Sequence, residues 1–112
     1  MKSVIDHIAL LVDDLQVAEE WYVSHLKGEV TFRDQKYIRL KVENTNIALI
    51  DKKWYPYAHI GILIDSKKDF PENAEIVEHR DGTTGAYVKD PFNNYLEYIW
   101  YSDKQKKVFL DD

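Results

Sequence analysis

The sequence predicts an α+β fold of two tandem βαβββ modules, and three observations carry that prediction. The chain has 112 residues, enough for one domain with a genuine core. It repeats itself: Ile5-Asp6-His7-Ile8-Ala9-Leu10-Leu11-Val12-Asp13 aligns with Tyr57-Ala58-His59-Ile60-Gly61-Ile62-Leu63-Ile64-Asp65, histidine on histidine and aspartate on aspartate. Further on, Thr45-Asn46-Ile47-Ala48-Leu49-Ile50 aligns with Asn94-Tyr95-Leu96-Glu97-Tyr98-Ile99. Finally, each half opens on an aliphatic strand, passes to helical spacing, and ends in three short strands.

The elements follow in order. Val4–Val12 is rich in aliphatic and β-branched residues and reads as a buried strand. Asp13 or Asp14 offers an N-cap, after which Leu15, Ala18, Tyr22 and Leu26 recur on one helical face. Gly28 is the expected stop. Strands at about Glu29–Arg33, Tyr37–Val42 and Asn46–Asp51 complete module one, about residues 3–51. Module two, about 57–101, starts with a strand at Tyr57–Ile64 and an abbreviated helical stretch interrupted by Pro71. Its last strands are expected at about Glu75–His79, Thr84–Lys89 and Tyr95–Tyr101, with turns at Asp81-Gly82 and Pro91-Phe92-Asn93-Asn94. The remainder, 102–112, is a polar tail ending in Val108-Phe109-Leu110, which either packs on a partner or frays. The whole, 1–112, is read as a single domain.

Composition excludes several classes of function. A formal net charge of −5 opposes nucleic acid and anionic membrane surfaces as main partners. With no cysteine there is no disulfide scaffold, thiolate zinc site or cysteine nucleophile. The apolar runs are far shorter than the ~20 residues a spanning helix needs, and Asp6 and His7 break up the start as a signal peptide, so a cytoplasmic location is expected.

Alternation along strands places three polar residues on one side. His7 shares a face with Ile5, Ala9 and Leu11; His59 with Tyr57, Gly61 and Leu63; Glu97 with Tyr95, Ile99 and Tyr101. The opposite faces are the better helix-packing surfaces. Burying a carboxylate and two imidazoles is costly without partners. Two answers are open: a divalent metal, which takes lone pairs from all three, or an ion pair of Glu97 with His7 or His59.

These residues also carry a resemblance. Asp6-His7-Ile8-Ala9-Leu10, Ala58-His59-Ile60-Gly61-Ile62 and Asp90-Pro91-Phe92-Asn93-Asn94-Tyr95-Leu96-Glu97 resemble, in order and spacing, the metal motifs of the glyoxalase / bleomycin-resistance / extradiol-dioxygenase superfamily, the vicinal oxygen chelate proteins. The likeness runs from about Ser3 to Tyr101. It implies curved mixed sheets around a cleft, with His7, His59 and Glu97 holding one divalent ion per chain (Ni, Zn, Mn, Co or Fe). For short single-domain members it also implies a homodimer, with His7 of one subunit beside His59 and Glu97 of the other.

Departures from the family narrow the chemistry. The repeat sets Ala48 where glyoxalases proper have a fourth ligand and base, which argues against thiohemiacetal isomerisation. Ala9 stands where fosfomycin-resistance transferases have threonine. Extradiol dioxygenases need an acid–base histidine and tyrosine; His25 and His79 are not obviously placed, whereas Tyr57 and Tyr101 are candidates. Arg39 shares a face with Tyr37 and Lys41, where it would hold an anionic group of a substrate or lie at a solvated sheet edge. Trp54, Tyr55 and Tyr57 form an aromatic cluster between the modules, suited to packing or to a flat ligand. Lys104, Lys106 and Lys107 read as a solvated patch, and Gly82 and Gly85 as turn residues.

The expected function is a small metal-dependent enzyme acting on a small substrate chelated through neighbouring oxygens: a lyase or isomerase, a transferase, or a dioxygenase. The rivals are a non-catalytic protein of the bleomycin-resistance type that sequesters a small molecule, and a structural dimer with a vestigial site.

Overall fold

A computed structural model of the chain describes residues 3–109, and they fold as the α+β architecture expected, with eight strands. The chain divides into two compact units. One is His7–Ala58; the other comprises the residues from His59 onward together with those before His7.

β1 (Val4–Val12), whose residues from His7 on belong to the first unit, leads there to α1 (Leu15–Leu26) and then to β2 (Glu29–Arg33), β3 (Tyr37–Val42) and β4 (Thr45–Asp51). The sheet order is β2-β3-β4-β1, with β1 parallel to β4 and the other pairs antiparallel. Asp14 caps α1, its side chain accepting from the Val17 N–H at 3.1 Å. The helix stops one residue earlier than Gly28 suggests. Lys27 takes the left-handed conformation (φ 57°), and its Nζ donates to the Ser24 carbonyl at 3.0 Å. Ile38, Leu40, Ile47 and Leu49 are buried and pack with Leu15, Ala18, Tyr22 and Val23 of the helix, so the even-numbered residues of β3 face α1 as alternation requires. The other face carries Ala9, Ala48 and Ile50, flanked by Leu11, Tyr37 and Tyr55. β2 has a bulge between Val30 and Phe32, while β3 pairs with β4 without interruption, so the parity placing Arg39 holds.

The second unit repeats the sheet with β5 (His59–Ile64), β6 (Ile76–Glu78), β7 (Thr84–Lys89) and β8 (Tyr95–Trp100), in the order β5-β8-β7-β6. β5 lies parallel to β8, as β1 does to β4. Three expected strands are shorter than read. Tyr57 and Ala58 precede β5, following Pro56, and β6 and β8 each end one residue sooner. The helical stretch is one 3-10 turn at Lys67–Asp69, capped by Ser66 and followed by Pro71, which cannot continue a helix.

The tail differs from expectation. Asp103–Phe109 forms a second helix, α2, with Ser102 accepting from the Gln105 N–H through Oγ and from the Lys106 N–H through its carbonyl. Asp103 in its first turn and Lys106 and Lys107 in its last complement the helix dipole. Phe109 is buried, its ring 5.9 Å from that of Tyr101. Leu110 lies outside the described residues. No helix among the described residues is long and apolar enough to cross a membrane.

Candidate metal centre

Glu97 sits in the middle of β8, directly across from Gly61 of β5 on one side and Tyr87 of β7 on the other. That register puts His59, Gly61, Tyr87 and Glu97 on one face of the sheet. Gly85, two residues before Tyr87, shares the face, and so does His79, which follows β6. Tight local structure sets these positions. The Asp90 carboxylate accepts from the N–H groups of Phe92 (2.7 Å) and Asn94 (2.9 Å) and from the Asn94 amide (3.0 Å). Those donors, the Asn94 backbone first, hold its pKa below the usual carboxylate value. Asn93 takes the left-handed conformation (φ 72°) that asparagine tolerates better than most residues. The turn thereby delivers β8 in register. On the other side, the His79 N–H donates to the Thr83 carbonyl (2.8 Å) and the Gly82 N–H to the His79 carbonyl (3.0 Å). Gly82 has φ +88°, and Gln105 of α2 fills the space above it.

The carboxylate of Glu97 is only 3% exposed and meets an imidazole at each oxygen. His59 Nε2, equally buried, is 3.3 Å from Oε1, and His79 Nε2 is in direct hydrogen-bonding contact with Oε2. The Tyr87 ring stands edge-on to both histidines, with centroids 5.2 Å from His59 and 6.0 Å from His79. A divalent ion with N and O ligands at about 2.0–2.2 Å separates two adjacent donors by roughly 3–3.4 Å. The pair His59 Nε2 and Glu97 Oε1 fits that requirement. The ion pair of Glu97 with His59, the second reading open from the sequence, is the contact this same geometry shows.

His7 belongs to the first unit. It is buried on β1, pairs with Asn46 in the register of β4, and shares a face with Ala9 and Ala48. Arg39 is 2% exposed on a strand flanked by β2 and β4. The solvated sheet edge is therefore wrong for Arg39, because β3 is an inner strand of its unit. Tyr101 is buried too. Its hydroxyl donates to Asp6 Oδ2 at 2.7 Å and its ring faces Phe109, so within its unit it ties Asp6 to the end of β8 and to α2. Tyr57 lies outside β5, half-exposed, with its ring edge-on to Tyr55 at 5.4 Å. Trp54 is exposed beneath the Lys36 ammonium. His25 stacks on Trp21 on the exposed side of α1.

Sequence reasoning missed two residues of this centre. His79 lay one position beyond a short strand whose register only pairing with β7 fixes. Gly85, read as a turn residue, lies within β7, and its missing side chain is what lets Glu97 and His79 meet. The available signal was parity: Val77 and His79 alternate onto the face of Gly85 and Tyr87.

No family model matches the chain, and no curated protein matches it in sequence. Solved structures do match in fold. Methylmalonyl-CoA epimerase from Mycobacterium tuberculosis superposes with a TM-score of 0.73 at 16% identity, covering 92% of this chain and 91% of the epimerase. The Streptomyces coelicolor epimerase, solved as an E43Q variant in complex with 2-nitronate-propionyl-CoA, gives 0.70 at 15%, covering 88% and 96%. A glyoxalase/bleomycin resistance protein/dioxygenase superfamily member from Vibrio splendidus 12B01 gives 0.62 at 13%, covering 89% and 100%.

Proposed function

We propose that this chain, which has the fold of the glyoxalase/bleomycin-resistance/dioxygenase superfamily, is a small cytoplasmic metal-dependent enzyme. One observation carries the reading. A carboxylate and an imidazole are buried with Nε2 and Oε1 3.3 Å apart, in a pairing whose burial is costly unless a cation or proton sits between them. His59 and Glu97 would hold the ion together with His7, the first-strand partner that the internal repeat sets equivalent to His59. When bound, a divalent ion supplies Lewis acidity and open coordination positions for two neighbouring oxygens of a substrate.

The chain's own residues do the rest. His59 offers its Nε2 lone pair and Glu97 one oxygen, both held by strand pairing rather than by loops. Tyr87 packs edge-on against both histidines. Arg39 would take an anionic group of the substrate, through its planar fork. The complex of the Streptomyces coelicolor epimerase with 2-nitronate-propionyl-CoA supports a small-molecule ligand for this fold. Ala48 supplies neither ligand nor base, so the base of an isomerase must come from elsewhere.

Elemental analysis of wild-type protein and Glu97→Ala tests the reading: about one divalent ion per chain in the first and little in the second. Negligible metal in both favours a non-catalytic small-molecule-binding protein. The homodimer with a shared site has its own test in mixed refolding of His7→Ala with Glu97→Ala. Metal uptake recovering to roughly a quarter supports a site completed across subunits. No recovery in a verified mixed dimer assigns all three ligands to one chain.

A further inference from the structure

We propose that His79 is a positioning residue for Glu97. It holds Oε2 and so presents Oε1 as the single oxygen offered to a cation beside His59. The proposal rests on the metal reading above and adds to it a residue outside the ligand set.

The two imidazoles face one carboxylate in opposite roles. His59 must leave Nε2 unprotonated to act as a ligand, whereas His79 Nε2 serves Glu97 by donating its N–H to Oε2. A carboxylate with one oxygen committed to a charge-assisted or neutral N–H donor cannot rotate freely, and its other oxygen becomes a monodentate ligand of defined direction. Burial strengthens this effect, since Glu97 is 3% exposed.

An independent feature points the same way. Gly85 lies in the middle of the contact. A Cβ built there would stand 2.7 Å from His79 Nε2 and closer still to Glu97 Oε2. Gly85 sits in ordinary strand backbone, so its conformation does not demand glycine; the room for this hydrogen bond does. Tyr87, edge-on to both rings, fixes the histidines relative to each other. His79 itself is anchored by its backbone through the bonds to Thr83 and Gly82, so the side chain starts from a rigid hairpin. Gly85 and Tyr87 of β7, and His79 from the segment that follows β6, thus converge on one carboxylate of β8.

The test compares wild type, His79→Leu, His79→Gln and Gly85→Ala as full chains. Zn2+ affinity is measured by competition with a chromogenic chelator, and denaturant midpoints are measured without metal. His79→Leu should weaken zinc by about 10–100-fold, the usual cost of losing a residue that orients a ligand. His79→Gln, whose amide N–H can replace Nε2–H, should recover most of that loss, which mere filling of space would not do. Gly85→Ala should weaken zinc as His79→Leu does, disturbing the same contact from the strand that lies between its two partners. Zinc binding by His79→Leu as tight as wild type overturns the proposal while leaving the metal reading intact. Equal loss in His79→Leu and His79→Gln, with metal-free midpoints unchanged, also overturns it, because the donor would then be irrelevant. Wild-type protein that takes up no zinc overturns the metal reading itself, and the role of His79 with it.

Discussion

The two modules share a strand order and differ in what they bury. On the face of its sheet away from α1, the first packs Ala9, Ala48 and Ile50. The matching face of the second carries His59, Glu97, Gly85 and His79. Glu97 occupies the repeat position of Ala48, and across the strand pair Tyr87 faces Glu97 where Arg39 faces Ala48. The helices differ as well. A twelve-residue α1 covers the first sheet, whereas the second module has one 3-10 turn and relies on α2, which follows its last strand. The first module keeps buried polar groups on this face as well, His7 at the repeat position of His59 and Arg39 opposite Ala48, so what the second copy adds is the carboxylate of Glu97 and its contact with His79. The second module is also the one with less helical cover. Ile60, on the strand of His59, is 41% exposed, while Leu40 and Leu49 under α1 are fully buried.

Truncating one large buried apolar side chain in each unit sharpens the contrast. Phe109→Ala should cost about 3–5 kcal/mol and Leu40→Ala about 2–5 kcal/mol in denaturant unfolding, since both side chains are almost wholly buried. If Phe109→Ala left the midpoint at the wild-type value, α2 would be an ornament and the second module would stand without it.

A smaller effect concerns the turn that delivers Glu97. Asp90 has a depressed pKa in the folded protein, so its contribution is complete above the ordinary carboxylate value and disappears as pH falls through the depressed one. The gap in melting temperature between wild type and Asp90→Ala should therefore be widest near neutrality and close in acid. A gap independent of pH would mean that the carboxylate charge is not what holds the turn.

The smallest effect belongs to the first module's surface. Arg33 forms a two-pronged ion pair with Glu19, through Nε at 2.9 Å and Nη2 at 2.7 Å, which raises the Arg33 pKa and links β2 to α1. The pair is solvent-screened, so Glu19→Ala should shift melting barely above detection at physiological salt, and less at high salt. A large shift would show that α1 is held by charge rather than by the apolar stripe of Leu15, Ala18 and Tyr22.

The strand patterns were legible because period-two alternation survives wherever one face packs on a helix. Ile38, Leu40 and Val42 against Tyr37, Arg39 and Lys41 is the clearest case. Asp14 as N-cap and Asp81-Gly82 as a turn were legible because each depends on a few consecutive residues. The helix α2 was obscured by its own composition: six of its seven residues are polar, charged or exposed, and only Phe109 inserts into the fold. Arg39 looked like a candidate for a wet edge because the sequence lists strands in chain order. The sheet order β2-β3-β4-β1 puts β3 inside.

By itself the sequence determined the modules, their order and the faces on which His7, His59 and Glu97 lie, since local propensity, turn chemistry and alternation act over a few residues. Only the tertiary structure decided which side chains meet. The contact of His79 with Glu97 joins residues 18 apart through the pairing of β6 with β7 and β7 with β8, and it needs the space above Gly85. Tyr101 reaches Asp6 across 95 residues. Such contacts depend on strand register and on the volume left by a missing side chain, and neither is a property of any short stretch of chain.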